Sequence, residues 1–126
     1  VVTISMEMPT DFALPFEILV PHRTKYQDFR PMFAVIAAGL PAPSEEEQSL
    51  LPKEIPDGMG IYLDQNNATE RYVIFEDVLR RVYWSSRPIA LPVQAGPVEV
   101  WIWSPEGQIG EFTFAFGVEE DFGGGE

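Results

Sequence analysis

Proline and glycine interrupt this chain so often that long helices cannot form. The sequence holds 12 Pro and 10 Gly among 126 residues, which is about one such residue in every six. Proline fixes φ and removes a backbone donor, and glycine weakens regular elements, so uninterrupted helical turns are disfavoured. Short strands joined by turns fit this spacing, and the chain is predicted to be mostly β.

Segments with strand character occur along the whole chain. The clearest is 98–103, where three aliphatic residues alternate with Glu99, Trp101 and Trp103. The predicted strands are 1–8, 14–20, 32–38, 59–64, 72–76, 77–84, 89–93, 98–103 and 111–116. Eight or nine short strands predict an all-β fold, a two-sheet antiparallel β-sandwich that is jelly-roll-like.

Two hairpins and one short helix are predicted between these strands. Segment 72–76 is expected to return beside 59–64 across an asparagine-rich loop, and 111–116 is expected to pair with 98–103. Ser44 and Glu47 have the spacing of a capping box, which predicts a short helix near 44–51.

Length and composition indicate a single domain. With 45% apolar residues, a chain of this size buries one good core. The predicted β-sandwich domain covers 1–118. The acidic, glycine-rich end at 119–126 has no periodicity and predicts a flexible tail.

The charge and the absence of cysteine restrict the function classes. Twenty acidic against eight basic residues give a net charge of −12, which opposes binding to a phosphate backbone, so no nucleic-acid partner is expected. No apolar run approaches the roughly 18 residues that span a bilayer, so no membrane insertion is expected.

Two further features bear on the location of the protein. A chain without cysteine forms no disulfide and no Cys-ligated metal site, which fits a reducing cytosol as well as an exported protein. A start at Val1 instead of Met suggests a processed segment. These two features leave the location open, and a periplasmic or secreted location is favoured by the family resemblance of the carboxyl half described next.

The carboxyl half carries a resemblance to a known family. A glycine turn at 95–97 leads into the alternating strand 98–103, and Gly110 leads into the aromatic strand 111–116. From Leu91 onward, this pattern resembles the closing strands of bacterial pre-peptidase C-terminal domains, which are jelly-roll sandwiches. It departs from them at Pro97 and Val98, where an aromatic residue is usual. The resemblance implies a non-catalytic accessory role beside exported enzymes or at cell surfaces, in some members with bound calcium.

Most catalytic arrangements are not supported by the residues. His22 is the single histidine of the chain, so a metal site made of several imidazoles is excluded. General acid–base catalysis by histidine could use His22 alone. Ser85, Ser86 and Ser104 lie outside any nucleophile-elbow motif. A small hydrolase that uses two carboxylates stays open as an alternative, because twenty acids always supply some pair at a suitable distance.

Calcium is the one cofactor that the loop composition accommodates. Carboxylate and amide oxygens of Asp64 and Asn66 are the candidate ligands. An ordinary solvated turn is the alternative, because the EF-hand pattern is not completed after them. No other cofactor is expected.

Two tryptophans form the most suggestive candidate site. If the aliphatic face of 98–103 fills the core, Trp101 and Trp103 point outward beside Glu99, and exposed aromatic rings bind sugars or protein surfaces. The alternative is that the long connection 40–58 covers both rings.

A group of basic residues forms a second candidate site. His22, Arg23, Lys25 and Arg30 lie close together in the sequence, with Tyr26 among them. On an acidic protein such a group could receive an anion or an acidic partner, and a solvated loop that balances local acids is the alternative.

These observations predict a non-catalytic accessory binding or interaction module of an exported bacterial protein. Its expected partner is a carbohydrate, a peptide or a neighbouring domain. The alternatives are a structural or assembly domain whose aromatic face is covered by its own chain, and a small carboxylate-based hydrolase.

Overall fold

A computed structural model describes residues 1–67, 71–76, 80–86, 88–104, 110 and 112–116. The chain divides into two compact units. The first unit comprises Val1–Phe12, Pro31–Asn66 and Pro92–Gln108, and the second comprises Ala13–Arg30, Asn67–Leu91 and Ile109–Glu126. A single domain over 1–118 stays a prediction, and the predicted tail at 119–126 lies outside the described residues.

Nine strands dominate the described residues, together with one short α-helix and one 3-10 turn. In chain order they are β1 (Val2–Met8), β2 (Phe12–Pro21), the 3-10 turn (Thr24–Tyr26), β3 (Met32–Ala37), α1 (Glu45–Leu50), β4 (Gly60–Asp64), β5 (Tyr72–Glu76), β6 (Arg81–Ser85), β7 (Ile89–Val93), β8 (Gly96–Trp103) and β9 (Thr113–Phe116). The strands form two antiparallel sheets. The predicted class, all-β with two antiparallel sheets and eight or nine strands, is confirmed.

The first sheet has the strand order β1-β8-β3-β4. Every residue of β3 is buried, which explains its interior position, since a strand that is apolar on both faces must be covered on both. Val100 of β8 lies opposite Ile4 of β1 and Val35 of β3. This row places the aliphatic residues of β8 in the core.

The second sheet has the order β5-β6-β2-β7, and β9 also pairs with β2. Strand β6 lies between β5 and β2, with Trp84 opposite Val73 on one side and Val20 on the other. Among the described residues, β5 lies at one end of this sheet.

Both predicted hairpins are wrong. Strand β4 pairs with β3, and β5 pairs with β6, so 72–76 does not return beside 59–64. Strand β8 has β1 and β3 on its two sides, and β9 pairs with β2 instead. Pairing β8 with the fully apolar β3 buries more apolar surface than pairing β8 with β9 across a short loop would. Strands that are distant in the sequence therefore lie beside β8.

The short helix is present as predicted. The Glu47 backbone N–H donates to Ser44 Oγ at 3.1 Å, and the Ser44 backbone N–H donates to Glu47 Oε1 at 2.9 Å. This reciprocal pair is a capping box, which satisfies two otherwise unpaired donors at the helix start. The helix opens the long connection between β3 and β4.

Candidate functional site

The tryptophan-bearing face of the first sheet is covered. As predicted, Trp101 and Trp103 lie opposite the aliphatic face of β8, together with Glu99. However, the Trp101 side chain is only 1% exposed, and Trp103 is half-buried. The expectation that both indoles face solvent is therefore wrong for Trp101.

The chain itself supplies the cover. Residues 40–59, which we call the covering segment, place Leu51, Ile55 and Met59 against a buried cluster around Trp101. The other buried members of that cluster are Ala34, Ile36 and Ile61. The self-covered alternative is thus the observed arrangement, because this apolar face is removed from water within the first unit.

Polar contacts hold the buried indole in place. Trp101 Nε1 donates to Glu99 Oε1 at 2.9 Å. Lys53 Nζ lies 4.9 Å from the centroid of the Trp101 ring and donates to Thr3 Oγ1 at 3.2 Å. The Glu99 carboxylate, a predicted ligand contact, therefore satisfies the indole N–H, and the covering segment would have to open before a ligand reached Trp101.

The backbone of the covering segment packs closely against the backbone of β4. The Ile61 backbone N–H donates to Pro41 O at 2.9 Å. A Cβ at position 60 would lie 1.9 Å from Leu40 O, which is far inside van der Waals contact. Gly60 is therefore required where the segment crosses the strand.

The covering segment contains a half-open groove of about 540 Å³. Its lining residues are Pro43, Gln48, Leu51, Lys53, Glu54 and Ile55. Among these, Glu54 is the one carboxylate. The groove does not supply the pair of acids that the hydrolase alternative requires.

The candidate calcium ligands stabilise a turn. Asp64 Oδ1 accepts from the Asn66 backbone N–H at 2.8 Å, and Asn66 Nδ2 donates to Pro31 O at 3.0 Å. Burial raises the pKa of the Asp64 carboxyl, and the hydrogen bond from Asn66 partly offsets this. In the part of the chain that the structure describes, no group of three or more His, Asp or Glu residues could hold a metal ion. Calcium binding at Asp64 and Asn66 stays a prediction.

The predicted basic group occupies one loop of the second unit. His22, Arg23 and Lys25 are exposed, and Arg30 is partly buried. Tyr26 is buried and packs near Phe29, with 6.0 Å between the ring centroids. The loop therefore has an apolar anchor and presents its cations on either side of it.

A residue that the sequence did not single out completes this group. The Arg71 guanidinium carbon lies 4.1 Å from the Trp84 ring centroid, and the His22 ring lies 4.4 Å from the same indole. We call Arg71, Trp84 and His22 the cation–aromatic cluster. Stacking of a planar guanidinium on an indole is favourable even at exposed sites.

Arg71 also holds the basic loop in place. It donates from Nη1 to Phe29 O at 2.8 Å and from Nη2 to the Gln27 carbonyl oxygen. Burial lowers the pKa of Arg71, the nearby Arg30 lowers it further, and Asp28 acts in the opposite direction. The guanidinium thus satisfies carbonyl groups that follow the 3-10 turn, an arrangement that suits a cation.

Beside the cluster, the second sheet exposes apolar side chains. By register, Val73 and Phe75 of β5 share a face with Val82 and Trp84 of β6. Val73 is 52% exposed, Phe75 56% and Val82 42%. We call these three residues the exposed strip. Tyr72, on the opposite face of β5, is 47% exposed.

Charge is distributed unequally between the two units. In the sequence, the first unit holds ten acidic residues and a single basic one, Lys53. The second unit holds seven basic and ten acidic residues, and four of those acids lie in the last eight residues. The strong negative charge of the chain therefore belongs mainly to the first unit and the carboxyl terminus.

The sequence reasoning missed Arg71, Trp84 and the exposed strip for one reason. These residues come together through the pairing of β2, β6 and β5, which no local spacing reveals. One signal was present, since 72–76 is apolar at nearly every position and lacks Gly, Pro and Lys.

Comparisons with known proteins identify no family for this chain. Neither a family model, nor a curated protein, nor a solved structure matches the chain. The resemblance to pre-peptidase C-terminal domains stays a prediction. Among the described residues, no helix has the length and apolarity needed to cross a membrane.

Proposed function

We propose that this chain is a non-catalytic interaction module that binds a protein partner through the exposed strip on β5 and β6. Its presence in an exported bacterial protein is part of the same proposal, and it rests on the resemblance of the carboxyl half. The binding surface differs from the tryptophan face that the sequence suggested.

The observation that carries the proposal is the exposure of neighbouring apolar side chains on a sheet. Val73, Phe75 and Val82 lie next to each other across two paired strands, and each leaves about half of its side chain in water. Single exposed apolar residues are ordinary, whereas adjacent ones mark contact surfaces. An aromatic ring among them supplies the kind of anchor that dominates binding energy at interfaces.

The cation–aromatic cluster gives this surface a polar border. Trp84 shares the face of the exposed strip, and its ring centroid lies 4.4 Å from that of His22 and 4.1 Å from the Arg71 guanidinium carbon. Interfaces combine an apolar centre with a polar rim, and Arg and Trp are enriched in them. The border favours a protein segment over a purely apolar ligand.

A structural or assembly role is the second candidate, and the buried Trp101 favours it. The first unit uses its own covering segment where a binding face was expected. In that case the tryptophan face contributes to the stability of the first unit instead of binding a ligand.

Selection from a displayed peptide library tests the proposal. The wild-type chain is immobilised at low density beside a variant that carries Val73→Lys and Phe75→Lys. Both positions are exposed, so the fold is expected to tolerate the change, and circular dichroism checks this. We expect the wild type to select apolar-rich peptides whose affinity falls at least about tenfold on the variant, since the anchor contacts are lost.

The matched control is Val2→Lys, which changes an exposed valine on an edge strand of the first sheet. It is expected to retain the affinity of the wild type. Peptides that bind the wild type and the double variant equally well, or the selection of no peptide at all, would overturn the proposed function.

A further inference from the structure

We propose that the partner at the exposed strip is an acidic peptide segment of another protein, whose apolar side chains contact the strip and whose carboxylates bind beside the cation–aromatic cluster. This inference rests on the proposed function, because it names the chemical class of the partner at the same surface. It adds a charge requirement that the exposed strip alone does not impose.

The cation–aromatic cluster adjoins the exposed strip directly. Trp84 lies opposite Val73 in the register of β5 and β6, and the Arg71 guanidinium carbon lies 4.1 Å from the Trp84 ring centroid. The His22 ring centroid lies 4.4 Å from the same indole, and the His22 backbone N–H donates to Val82 O at 3.0 Å. A peptide that contacts the strip therefore comes close to a fixed positive charge.

Among the described residues, β2, β5 and β6 place no acidic side chain on this face. By register, β5 and β6 contribute four uncharged residues to it, which are Val73, Phe75, Val82 and Trp84. The acid of β2 is Glu17, whose carboxylate accepts from Ser85 Oγ at 2.6 Å. Because Ser85 alternates with Trp84 along β6, this contact lies on the opposite face of the sheet. The face of the exposed strip is thus open to carboxylates from a partner.

Hydrogen bonds fix the position of Arg71 without neutralising its charge. Its guanidinium donates to the carbonyl oxygens of Phe29 and Gln27, which are uncharged acceptors. Burial lowers the pKa of Arg71 most, and of its two charged neighbours Arg30 lowers this pKa more strongly than Asp28 raises it. The two neighbouring charges together therefore make the surroundings of Arg71 more positive, which favours the approach of a carboxylate.

The segment 22–30 adds further positive charge. It contains Arg23, Lys25 and Arg30 against a single acid, Asp28, and the side chains of Arg23 and Lys25 are exposed. Clusters of basic residues recognise acidic peptide motifs, because guanidinium and ammonium groups form charge-assisted hydrogen bonds with carboxylates. This segment therefore supplies cations next to an apolar surface on a chain that is otherwise strongly acidic.

The combination of the two surfaces selects among ligands. A purely apolar ligand would contact Val73 and Phe75 and leave the cations unused. A basic peptide would bring like charge beside Arg71, which lowers affinity. An acidic ligand without apolar groups would leave the exposed strip in water. A peptide with both apolar and acidic side chains makes use of the whole surface.

Matched peptides test the inference. Peptides that the wild type selects from the displayed library are synthesised in three forms, in which every position that is not apolar becomes Glu, Gln or Lys. Fluorescence anisotropy then measures the affinity of each form for the wild type. We expect the Glu form to bind best, the Gln form to be intermediate, and the Lys form to bind at least about tenfold more weakly than the Glu form.

Two variants locate the charge that produces this preference. Arg71→Gln removes the charge, and His22→Glu offsets it with a nearby carboxylate while Arg71 stays in place. The second variant changes an exposed residue, so it keeps the test valid if the first variant fails to fold. Each is expected to reduce the preference for the Glu form over the Gln form by at least about threefold.

The matched control is Arg81→Gln. It removes one positive charge from an exposed position of β6, on the face opposite to Trp84, so the net charge of the chain changes by the same amount as in Arg71→Gln. Arg81→Gln is expected to keep the preference of the wild type. An equal loss of preference in the two variants would show that net charge matters instead of the site, and would overturn the inference.

A neutral variant separates the apolar contribution from the charge contribution. Val73→Thr with Phe75→Thr removes the apolar anchors without adding charge, and threonine is well tolerated in strands. It is expected to weaken all three peptide forms by a similar factor, because the cations beside Trp84 are unchanged.

The outcomes distinguish the inference from the proposed function. If the three forms bind the wild type equally, if the Lys form binds best, or if Arg71→Gln and His22→Glu keep the full preference, the acidic partner is wrong. The proposed function stands in these cases as long as the neutral variant weakens binding. If the neutral variant binds every form as tightly as the wild type does, or if no peptide is selected, both are wrong.

Discussion

The first sheet buries its central tryptophan beneath a connection of its own chain, whereas the second sheet leaves the exposed strip in water on two neighbouring strands. Both faces carry apolar residues with period-two spacing. The two faces differ in the length of the connection that adjoins them. The connection between β3 and β4 runs over residues 38–59 and is long enough to cross the sheet, while residues 77–80 between β5 and β6 are too few to do so. The length of the adjoining connection therefore decides whether the chain covers an apolar face.

Charge follows the same division. The covered face belongs to the unit with ten acidic residues and one basic residue, and the exposed strip belongs to the unit with seven of the eight basic residues. The excess of like charge on the first unit opposes its association with acidic partners. The second unit combines exposed apolar side chains with a basic border, which are the properties of a contact surface.

The largest expected difference between the two faces is in stability. Trp101→Ala removes a large, fully buried side chain and is expected to lower the free energy of unfolding by about 3–5 kcal/mol. Phe75→Ala removes an aromatic ring of the exposed strip and is expected to change it by less than about 0.5 kcal/mol. Urea unfolding of both variants at a concentration where the chain is monomeric measures the difference. Similar losses in the two variants would remove the distinction between the faces.

Substitutions of two glycines test how closely the covering segment packs against β4. Gly60→Ala forces a Cβ against Leu40 O and is expected to cost about 2–3 kcal/mol, as an overpacked site does. Gly58→Ala meets no atom within 4 Å, and its cost of about 1 kcal/mol comes from its positive φ alone.

Iodide quenching of tryptophan emission adds a second measurement for the same pair. Gly60→Ala is expected to increase quenching because the covering segment is displaced from Trp101. Gly58→Ala is expected to leave quenching unchanged. An equal rise in both variants would contradict the close approach at Gly60 as the cause of the seating.

A smaller effect is expected at the border of the exposed strip. Arg71→Lys retains the positive charge but loses the planar fork that reaches Phe29 and Gln27 while it stacks on Trp84. We expect a loss of about 1–2 kcal/mol in the free energy of unfolding. The control Arg81→Lys changes an exposed arginine and is expected to fall within about 0.5 kcal/mol of the wild type. Full stability in Arg71→Lys would show that its charge alone matters.

The smallest effect is a pH dependence in the first unit. Burial raises the pKa of the Asp64 carboxyl, so ionisation of this group opposes folding. This cost is absent below the pKa of the unfolded chain and develops as pH rises through the folded pKa.

Asp64→Asn tests this dependence, because it keeps an oxygen acceptor for the Asn66 N–H and removes the charge. Relative to this variant, the wild type is expected to be most stable in acid and to lose stability toward neutral pH. Urea unfolding at a series of pH values measures this difference. A difference that does not vary with pH would contradict the burial of Asp64.

The sequence was sufficient to predict the short helix and the two faces of β8. Alternation in 98–103 placed Trp101 and Trp103 opposite the aliphatic residues, and Ser44 with Glu47 located the short helix. These features depend on side-chain direction and on contacts within a few residues, which spacing records directly.

The spacing of residues along the sequence did not predict which strands pair or which side chains are exposed to solvent. The neighbours of β8 are β1 and β3, which are distant in the chain, because pairing is decided by the surface that whole strands bury. Arg71 and His22 meet at Trp84 for the same reason. Leu51, Ile55 and Met59 of the covering segment recur every four residues. Pro52 and Pro56 interrupt this spacing and disfavour a helix, so the apolar face of the segment was not predicted.

Hydroxyl-radical footprinting of the intact chain at low concentration tests the contrast between the two faces most directly. The rates of modification of Trp101 and Phe75 are compared with those of the same residues in the urea-unfolded chain. We predict that Trp101 reacts far more slowly in the folded chain, although indole is intrinsically the more reactive ring, and that Phe75 reacts at close to its unfolded rate. Rapid modification of Trp101, or protection of Phe75 equal to that of Trp101, would contradict the account.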